Sequence, residues 1–150
     1  MTPAHRSALP IERTISSPFV RAIQSIAPLA ERLGLPIATD KRLAERVLAA
    51  GDLPDWLAAL KSSFDDLHRC LAGGESSRAA MQRASEVASE AMAHPASATL
   101  LVTHGNLMVL LLKYFDDGIG FAEWQQLTNP DVYRISLSPE RAEIARIWDA

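Results

Sequence analysis

The sequence predicts a single layered α/β domain over residues 1–150, a three-layer αβα arrangement with a mostly parallel sheet and an antiparallel edge. Short apolar runs alternate with helical patterns, as in β-α-β units. One such run, 100–102, stops at His104-Gly105 and is followed by an apolar helix. Two alternating segments near the C-terminus are typical of a hairpin. A chain of 150 residues can bury a sizeable core.

The remaining elements follow from hydrophobic periodicity. Apolar residues at spacings of three and four predict helices, and short aliphatic runs between turn residues predict strands. Residues 1–10 show neither pattern and are predicted to be irregular. The predicted elements are strand 11–15, helix 16–33, strand 35–39, helix 57–71, helix 76–92, strand 100–102, helix 107–115, strand 132–137 and strand 142–148.

The first helix has clear signals at both ends. Ser16-Ser17-Pro18 predicts its start, because serine accepts from a free amide at the N-cap and proline sacrifices no bond at the first helical position. Gly34 predicts its end, since glycine readily adopts the left-handed conformation of a helix cap. Pro28 lies inside the helix and predicts a kink.

Composition and charge exclude several classes of function. A formal net charge of −3 without any Lys/Arg run argues against a nucleic-acid partner. The longest apolar run, 107–112, is too short to span a membrane. Cys70 is the only cysteine and no signal peptide is recognisable, which predicts a cytoplasmic protein. The four histidines lack metal-ligand spacing, so the sequence predicts neither a metal site nor a cofactor.

Arg21 is the first candidate for an anion site. It falls in the opening turn of the first helix, where free amides and a positive dipole end combine with the guanidinium fork, and this combination suits phosphate. The alternative is an arginine paired with a surface acid, which is favoured about two to one when Arg21 is considered alone.

Glu45 and His104 are the other candidates. Glu45 can act as a general acid if Leu43 anchors its loop and turns the carboxylate toward a pocket, although most glutamates between arginines are solvated. His104 ends a buried strand, where a functional ring and a core histidine are equally good interpretations. The sequence contains no Gly-x-x-x-x-Gly-Lys loop, no Gly-x-Ser-x-Gly elbow and no His-Glu-x-x-His.

Four motifs in order, at 15–22 (Ile-Ser-Ser-Pro-Phe-Val-Arg-Ala), 42–46 (Arg-Leu-Ala-Glu-Arg), 73–76 (Gly-Gly-Glu-Ser) and 102–106 (Val-Thr-His-Gly-Asn), resemble the histidine phosphatase superfamily. These are the phosphoglycerate-mutase-like proteins, and the resemblance covers nearly all of 11–137. It implies phosphoryl transfer to a histidine and then to water or a second hydroxyl, with a phosphorylated small molecule or inorganic phosphate as partner.

The resemblance also implies a role for each candidate residue. Arg21 matches the arginine that clamps phosphate oxygens, and His104 matches the second pocket histidine, which hydrogen-bonds the transferring phosphoryl group. Glu45 matches the acid that protonates the leaving oxygen. The catalytic residues implied are therefore His104 and Glu45, and the phosphate-binding residues are Arg21 and His104.

One family motif is absent. The superfamily's first strand ends in Arg-His-Gly, whose histidine is the nucleophile, and this triplet occurs nowhere in the sequence. His5-Arg6 has two of these residues in reverse order without a strand before them, and we interpret it as a chance match. We therefore expect the fold without its first strand, and a phosphate pocket with little or no turnover.

Two alternative hypotheses follow from the same gap. The first is an active phosphatase or mutase whose true start lies upstream of Met1. The second is an interaction module that forms a homodimer or binds another partner through the sheet edge left open by the missing strand.

Overall fold

The computed structural model describes residues 10–96 and 98–147. Nearly all of the segment predicted to be irregular, including His5-Arg6, lies outside these residues, as does the end of the last predicted strand. The described elements are β1 (Ile11–Ser16), α1 (Val20–Leu33), β2 (Ile37–Thr39), a 3-10 helix (Lys41–Leu43), α2 (Trp56–Asp65), α3 (Ser77–Ala93), β3 (Ala98–Val102), α4 (Gly105–Phe115), α5 (Phe121–Gln125), β4 (Tyr133–Leu137) and β5 (Ala142–Arg146).

The first three strands form a parallel sheet in the order β2-β1-β3. In the central strand, Ile15 lies opposite Ala38 on one side and Leu101 on the other. The backbone amide of Ser17 donates to the carbonyl of Val102 at 2.8 Å, which extends the pairing past the end of β1. The carboxyl ends of β1 and β3 therefore lie side by side.

The predicted α/β fold with a parallel sheet is confirmed. The antiparallel strands were expected at an edge of that sheet, whereas β4 and β5 pair with each other as a separate two-stranded sheet. Within the described residues no strand joins β3 to β4. The separation is physically reasonable because a hairpin satisfies one edge of each strand by itself.

Two helix boundaries differ from the predicted ones, and one short helix was not predicted. The first helix begins at Val20 rather than at the Ser-Ser-Pro segment. The helix predicted over 57–71 ends at Asp65, and the carboxylate of Asp66 then accepts from the amide of His68 at 3.2 Å, which forms a turn. The short helix α5 was not predicted, since five residues are too few to show a hydrophobic period.

The main core forms where α3 and α4 pack together beside the sheet. Alanines on α3 allow close approach, and α4 contributes a continuous set of aliphatic side chains. The fully buried residues of this core, with no exposed surface, are Ala80, Ala84, Leu107, Val109 and Leu110. Packing along α4 fixes its N-terminus, which immediately follows His104 at the end of β3.

Helix α3 has a side-chain cap that offers a test of local stability. The hydroxyl of Ser76 accepts from the amide of Ala79 at 3.0 Å. We expect Ser76→Ala to lower the free energy of unfolding by about 1 kcal/mol, because the first turn loses this acceptor. Ser76→Asp is the matched control and should stay near the wild type, as aspartate also accepts at an N-cap. Denaturant unfolding measures both, and equal stabilities of the alanine variant and the wild type would contradict the capping role.

Candidate functional site

The site is built where two parallel strands end. Ser16 pairs with Val102 as the last residues of β1 and β3, so the residues that follow them project from the same edge of the sheet. Across this edge, the Nε2 atom of His104 lies 2.9 Å from the hydroxyl oxygen of Ser17. Ser17 is fully buried, which holds one side of the imidazole in place.

His104 is a half-buried ring with an aromatic neighbour and two charged ones. Its ring centroid lies 5.0 Å from that of Phe19. Burial lowers the pKa of His104 below its usual value, Glu45 acts in the opposite direction, and the positive charge of Arg21 lowers the pKa further. The neutral imidazole is therefore favoured, and its ring can exchange a hydrogen bond with Ser17 or with a ligand oxygen.

Arg21 lies in the first turn of α1, as predicted, and is exposed. Its guanidinium carbon is 6.0 Å from the centroid of the Phe19 ring, the ring that also contacts His104. No acid in the described part of the chain forms an ion pair with Arg21, so the surface-pair alternative is not what the structure contains. The first residues of α1 also lack a side-chain cap, which leaves amides and a cation at one helix end.

The side-chain carboxylate of Glu45 lies at the N-terminus of α4, against the amides two and three residues beyond His104. Its Oε1 atom accepts from the amides of Leu107 and Arg46, each at 2.8 Å, and its Oε2 atom accepts from the amide of Asn106 at 3.1 Å. A carboxylate at this position is stabilised by the free amides and by the helix dipole. Sequence reasoning could place Glu45 near a pocket but could not reveal this cap, because 61 residues separate it from Asn106.

The segment that carries Glu45 is held by three side chains that sequence reasoning did not single out as site residues. Arg83 on α3 donates to the carbonyls of Arg42 and Ala44, at 2.6 and 2.7 Å. The same guanidinium pairs with Glu75 at 2.6 Å. Thr103 donates to the carbonyl of Leu43 at 2.6 Å, which ties the segment to the end of β3. These contacts fix the position of the Glu45 carboxylate relative to His104.

The arrangement is suited to binding an anion. Arg21 supplies a positive charge and a fork of donors, and His104 supplies an imidazole that the buried hydroxyl of Ser17 holds in place. The other described histidines, His68 and His94, are exposed and follow α2 and α3, so His104 is the only histidine of this cluster among the described residues. Across 10–96 and 98–147, no group of three or more His, Cys, Asp or Glu residues could hold a metal ion.

The sequence also matches a family model. The model of the histidine phosphatase superfamily (branch 1) matches residues 3–150. The chain belongs to the histidine phosphatase superfamily. No curated protein matches the sequence.

Solved structures share the fold of this histidine phosphatase chain. A mycobacterial glucosyl-3-phosphoglycerate phosphatase, solved with inorganic phosphate, superposes with a TM-score of 0.72 at 23% identity, covering 97% of this chain and 80% of that one. For the Bacillus stearothermophilus protein YhfR the TM-score is 0.70 at 22% identity, with coverages of 95% and 76%. The α-ribazole phosphatase of Shigella flexneri gives a TM-score of 0.62 at 16% identity, with coverages of 90% and 72%. At these identities the likeness establishes the fold.

No helix in the described part of the chain is long and apolar enough to cross a membrane.

The lowered pKa of His104 predicts a pH dependence of stability. The folded protein binds the His104 proton less tightly than the unfolded chain does. The contribution of neutral His104 to the free energy of unfolding is therefore fully present above the ordinary pKa of 6.5, and it is lost as the pH falls toward the lowered pKa of the folded state. We therefore expect the difference in unfolding free energy between the wild type and His104→Asn to be larger at about pH 7.5 than at about pH 5.5. Denaturant unfolding at both pH values measures this difference, and a difference that grows on acidification would contradict the assignment.

Proposed function

We propose that this chain binds inorganic phosphate and phosphomonoesters at Arg21 and His104, and that it catalyses little or no phosphoryl transfer by itself. The observation that supports binding most strongly is the cluster itself. A neutral imidazole, held by a buried hydroxyl, and a guanidinium without an ion pair among the described residues lie beside the same ring, that of Phe19. Charge-assisted hydrogen bonds to phosphate oxygens are the contacts that such groups make most readily.

We retain the prediction of a cytoplasmic location.

Low turnover is proposed because the sequence lacks Arg-His-Gly and the described part of the cluster contains one histidine. Covalent phosphoryl transfer needs a nucleophile that accepts the group and separate donors that stabilise its charge. His104 cannot serve both roles at one time, and its Nε2 atom already contacts Ser17. The implied role of Glu45, protonation of the leaving oxygen, stays a prediction. Both of its oxygens accept backbone amides, so we propose that it acts first as the cap that positions α4.

Two measurements on the purified chain test this proposal. Calorimetric titration with inorganic phosphate should give saturable binding that weakens as ionic strength rises. Incubation with a phosphomonoester should release little phosphate and leave no acid-labile phosphohistidine. Robust turnover would overturn the proposed inactivity, whereas the absence of saturable phosphate binding would overturn the binding function.

A longer, active phosphatase is the second candidate. The observation that favours it is the length of the structural relatives, since this chain covers 80% of the mycobacterial phosphatase and 72% of the Shigella phosphatase. We propose that the natural protein then carries an upstream strand ending in Arg-His-Gly. An in-frame strand of this kind before Met1 in the gene would support the proposal, and an in-frame stop codon before any such strand would contradict it.

A homodimer is the third candidate, favoured by the open edge of β3. Among the described residues this strand pairs only with β1, and it contains no charged residue or proline between Ala98 and Val102. Edges without charges or prolines are prone to pair with another chain. We propose that two copies pair through β3. Light scattering should show a concentration-dependent dimer, and a strict monomer whose stability is independent of concentration would contradict the pairing.

A further inference from the structure

Two clefts meet at the exposed indole of Trp56. The first has a volume of about 490 Å³ and includes Pro54, Leu57 and Phe121 in its lining. The second has a volume of about 730 Å³ and includes Arg46 and Leu53. Pro54 and Trp56 line both clefts, so the two form one surface, which we call the aromatic cleft.

Two links through the structure connect the aromatic cleft to the phosphate-binding residues Arg21 and His104. Arg46, which lines the cleft, directly follows Glu45 in the chain, and the Glu45 carboxylate caps the helix that begins after His104. Trp124 provides the second link. A Cβ atom placed on Gly105 would lie 3.9 Å from the indole nitrogen of Trp124, so this indole approaches the backbone next to His104.

Three aromatic rings connect Gly105 to the cleft. The rings of Trp124 and Phe121 are stacked, with centroids 5.6 Å apart and an interplanar angle of 20°. The ring of Trp56 meets that of Trp124 edge-on, with centroids 6.3 Å apart and an angle of 77°. Neighbouring rings hold each other in place, so Trp56 presents a positioned surface although 52% of it is exposed.

The remaining lining groups favour a flat apolar ligand. Pro54, Leu57 and Ala58 contribute aliphatic surface to the first cleft, and its charged or polar residues are Asp55, Lys61 and Gln125. A ring stacked on an indole buries apolar area and leaves no polar group unpaired. An open-chain polyol has no flat apolar face to stack on the indole, so it gains less from this surface than a ring does.

We propose that the aromatic cleft binds the alcohol portion of a phosphomonoester whose phosphate is held by Arg21 and His104, and that it selects aromatic rings over open chains. This inference rests on the proposed phosphate-binding function and adds the class of ligand. Trp56 is the residue that sets the preference, and Trp124 positions it beside the phosphate cluster.

The experiment compares three ligands by equilibrium titration of the full chain: inorganic phosphate, phenyl phosphate and glycerol 3-phosphate. We expect phenyl phosphate to bind about 5- to 30-fold more tightly than glycerol 3-phosphate, as a stacked ring provides. In Trp56→Ala the two esters should bind within about 2-fold of each other while the affinity for inorganic phosphate stays unchanged. Trp56→Phe keeps an aromatic surface and should retain part of the preference.

Tyr114→Ala is the matched control. This exposed tyrosine lies on α4 and contacts Phe115, and it lines neither part of the aromatic cleft. Its replacement should leave the preference for phenyl phosphate unchanged. Equal affinities of the wild type for the two esters, or a preference that survives in Trp56→Ala, would overturn this inference while the phosphate site stands. Failure of the wild type to bind any of the three ligands would overturn the phosphate site and the inference together.

Discussion

Replacing Arg21 with alanine is expected to weaken the binding of inorganic phosphate by about 10- to 100-fold, the loss that follows when a charged hydrogen-bond donor is removed from an anion site. The side chain is exposed and forms no ion pair with a described acid, so its removal should leave the fold intact. Isothermal titration calorimetry of the variant and the wild type at one fixed ionic strength measures this effect, because the binding of anions at exposed sites depends on salt.

Arg32→Ala is the matched control for Arg21→Ala. Arg32 is an exposed arginine in the last turn of the same helix, so its loss changes the net charge equally but leaves the N-terminus of α1 unaltered. Phosphate affinity should then change less than about 2-fold. Arg21→Lys should have intermediate affinity, because lysine keeps the charge without the planar fork. Equal losses in Arg21→Ala and Arg32→Ala would show that phosphate responds to net charge rather than to this site.

Glu45→Ala is expected to lower the free energy of unfolding by about 1 to 3 kcal/mol, because it leaves backbone amides at the start of α4 without their acceptor. Asn106 and Leu107 are buried, so water cannot readily replace the carboxylate. Glu45→Gln keeps one acceptor oxygen and should lose less stability. Thermal or denaturant unfolding of the three proteins measures the order wild type, glutamine variant, alanine variant.

Glu31→Ala is the control for Glu45→Ala. Glu31 is exposed on α1, and its replacement should change the stability by no more than about 0.5 kcal/mol. A Glu45→Ala protein as stable as this control would contradict the capping role. In that case the carboxylate would be free for the acid role that the resemblance implies.

The sequence predicted the fold class because hydrophobic periodicity carries that information. The run at 100–102 proved to be part of β3, and Gly34 ends α1 in the left-handed conformation, with a φ of 69°. The separate hairpin sheet could not be predicted, since alternation identifies strands but not the strands with which they pair. Helix α5 is too short to have a detectable period.

The candidate site shows the same division between local and long-range information. Arg21 and His104 could be proposed from the helix-start and strand-end patterns, and the structure brings both beside Phe19. Ser17 was used only as a helix-start signal, although its hydroxyl contacts His104 across 87 residues of sequence. Arg83 had no sequence signal at all, because its partners are backbone carbonyls on a distant segment.

Nuclear magnetic resonance of the imidazole nitrogens of His104 tests the central claim most directly. Bound phosphate is expected to shift the His104 resonances and to raise the pKa of this ring from its lowered value in the free protein, because a nearby anion stabilises the imidazolium. His68 and His94 are exposed and should serve as internal references that do not respond. Resonances and a pKa of His104 that stay unchanged at high millimolar phosphate would contradict a phosphate site at this residue.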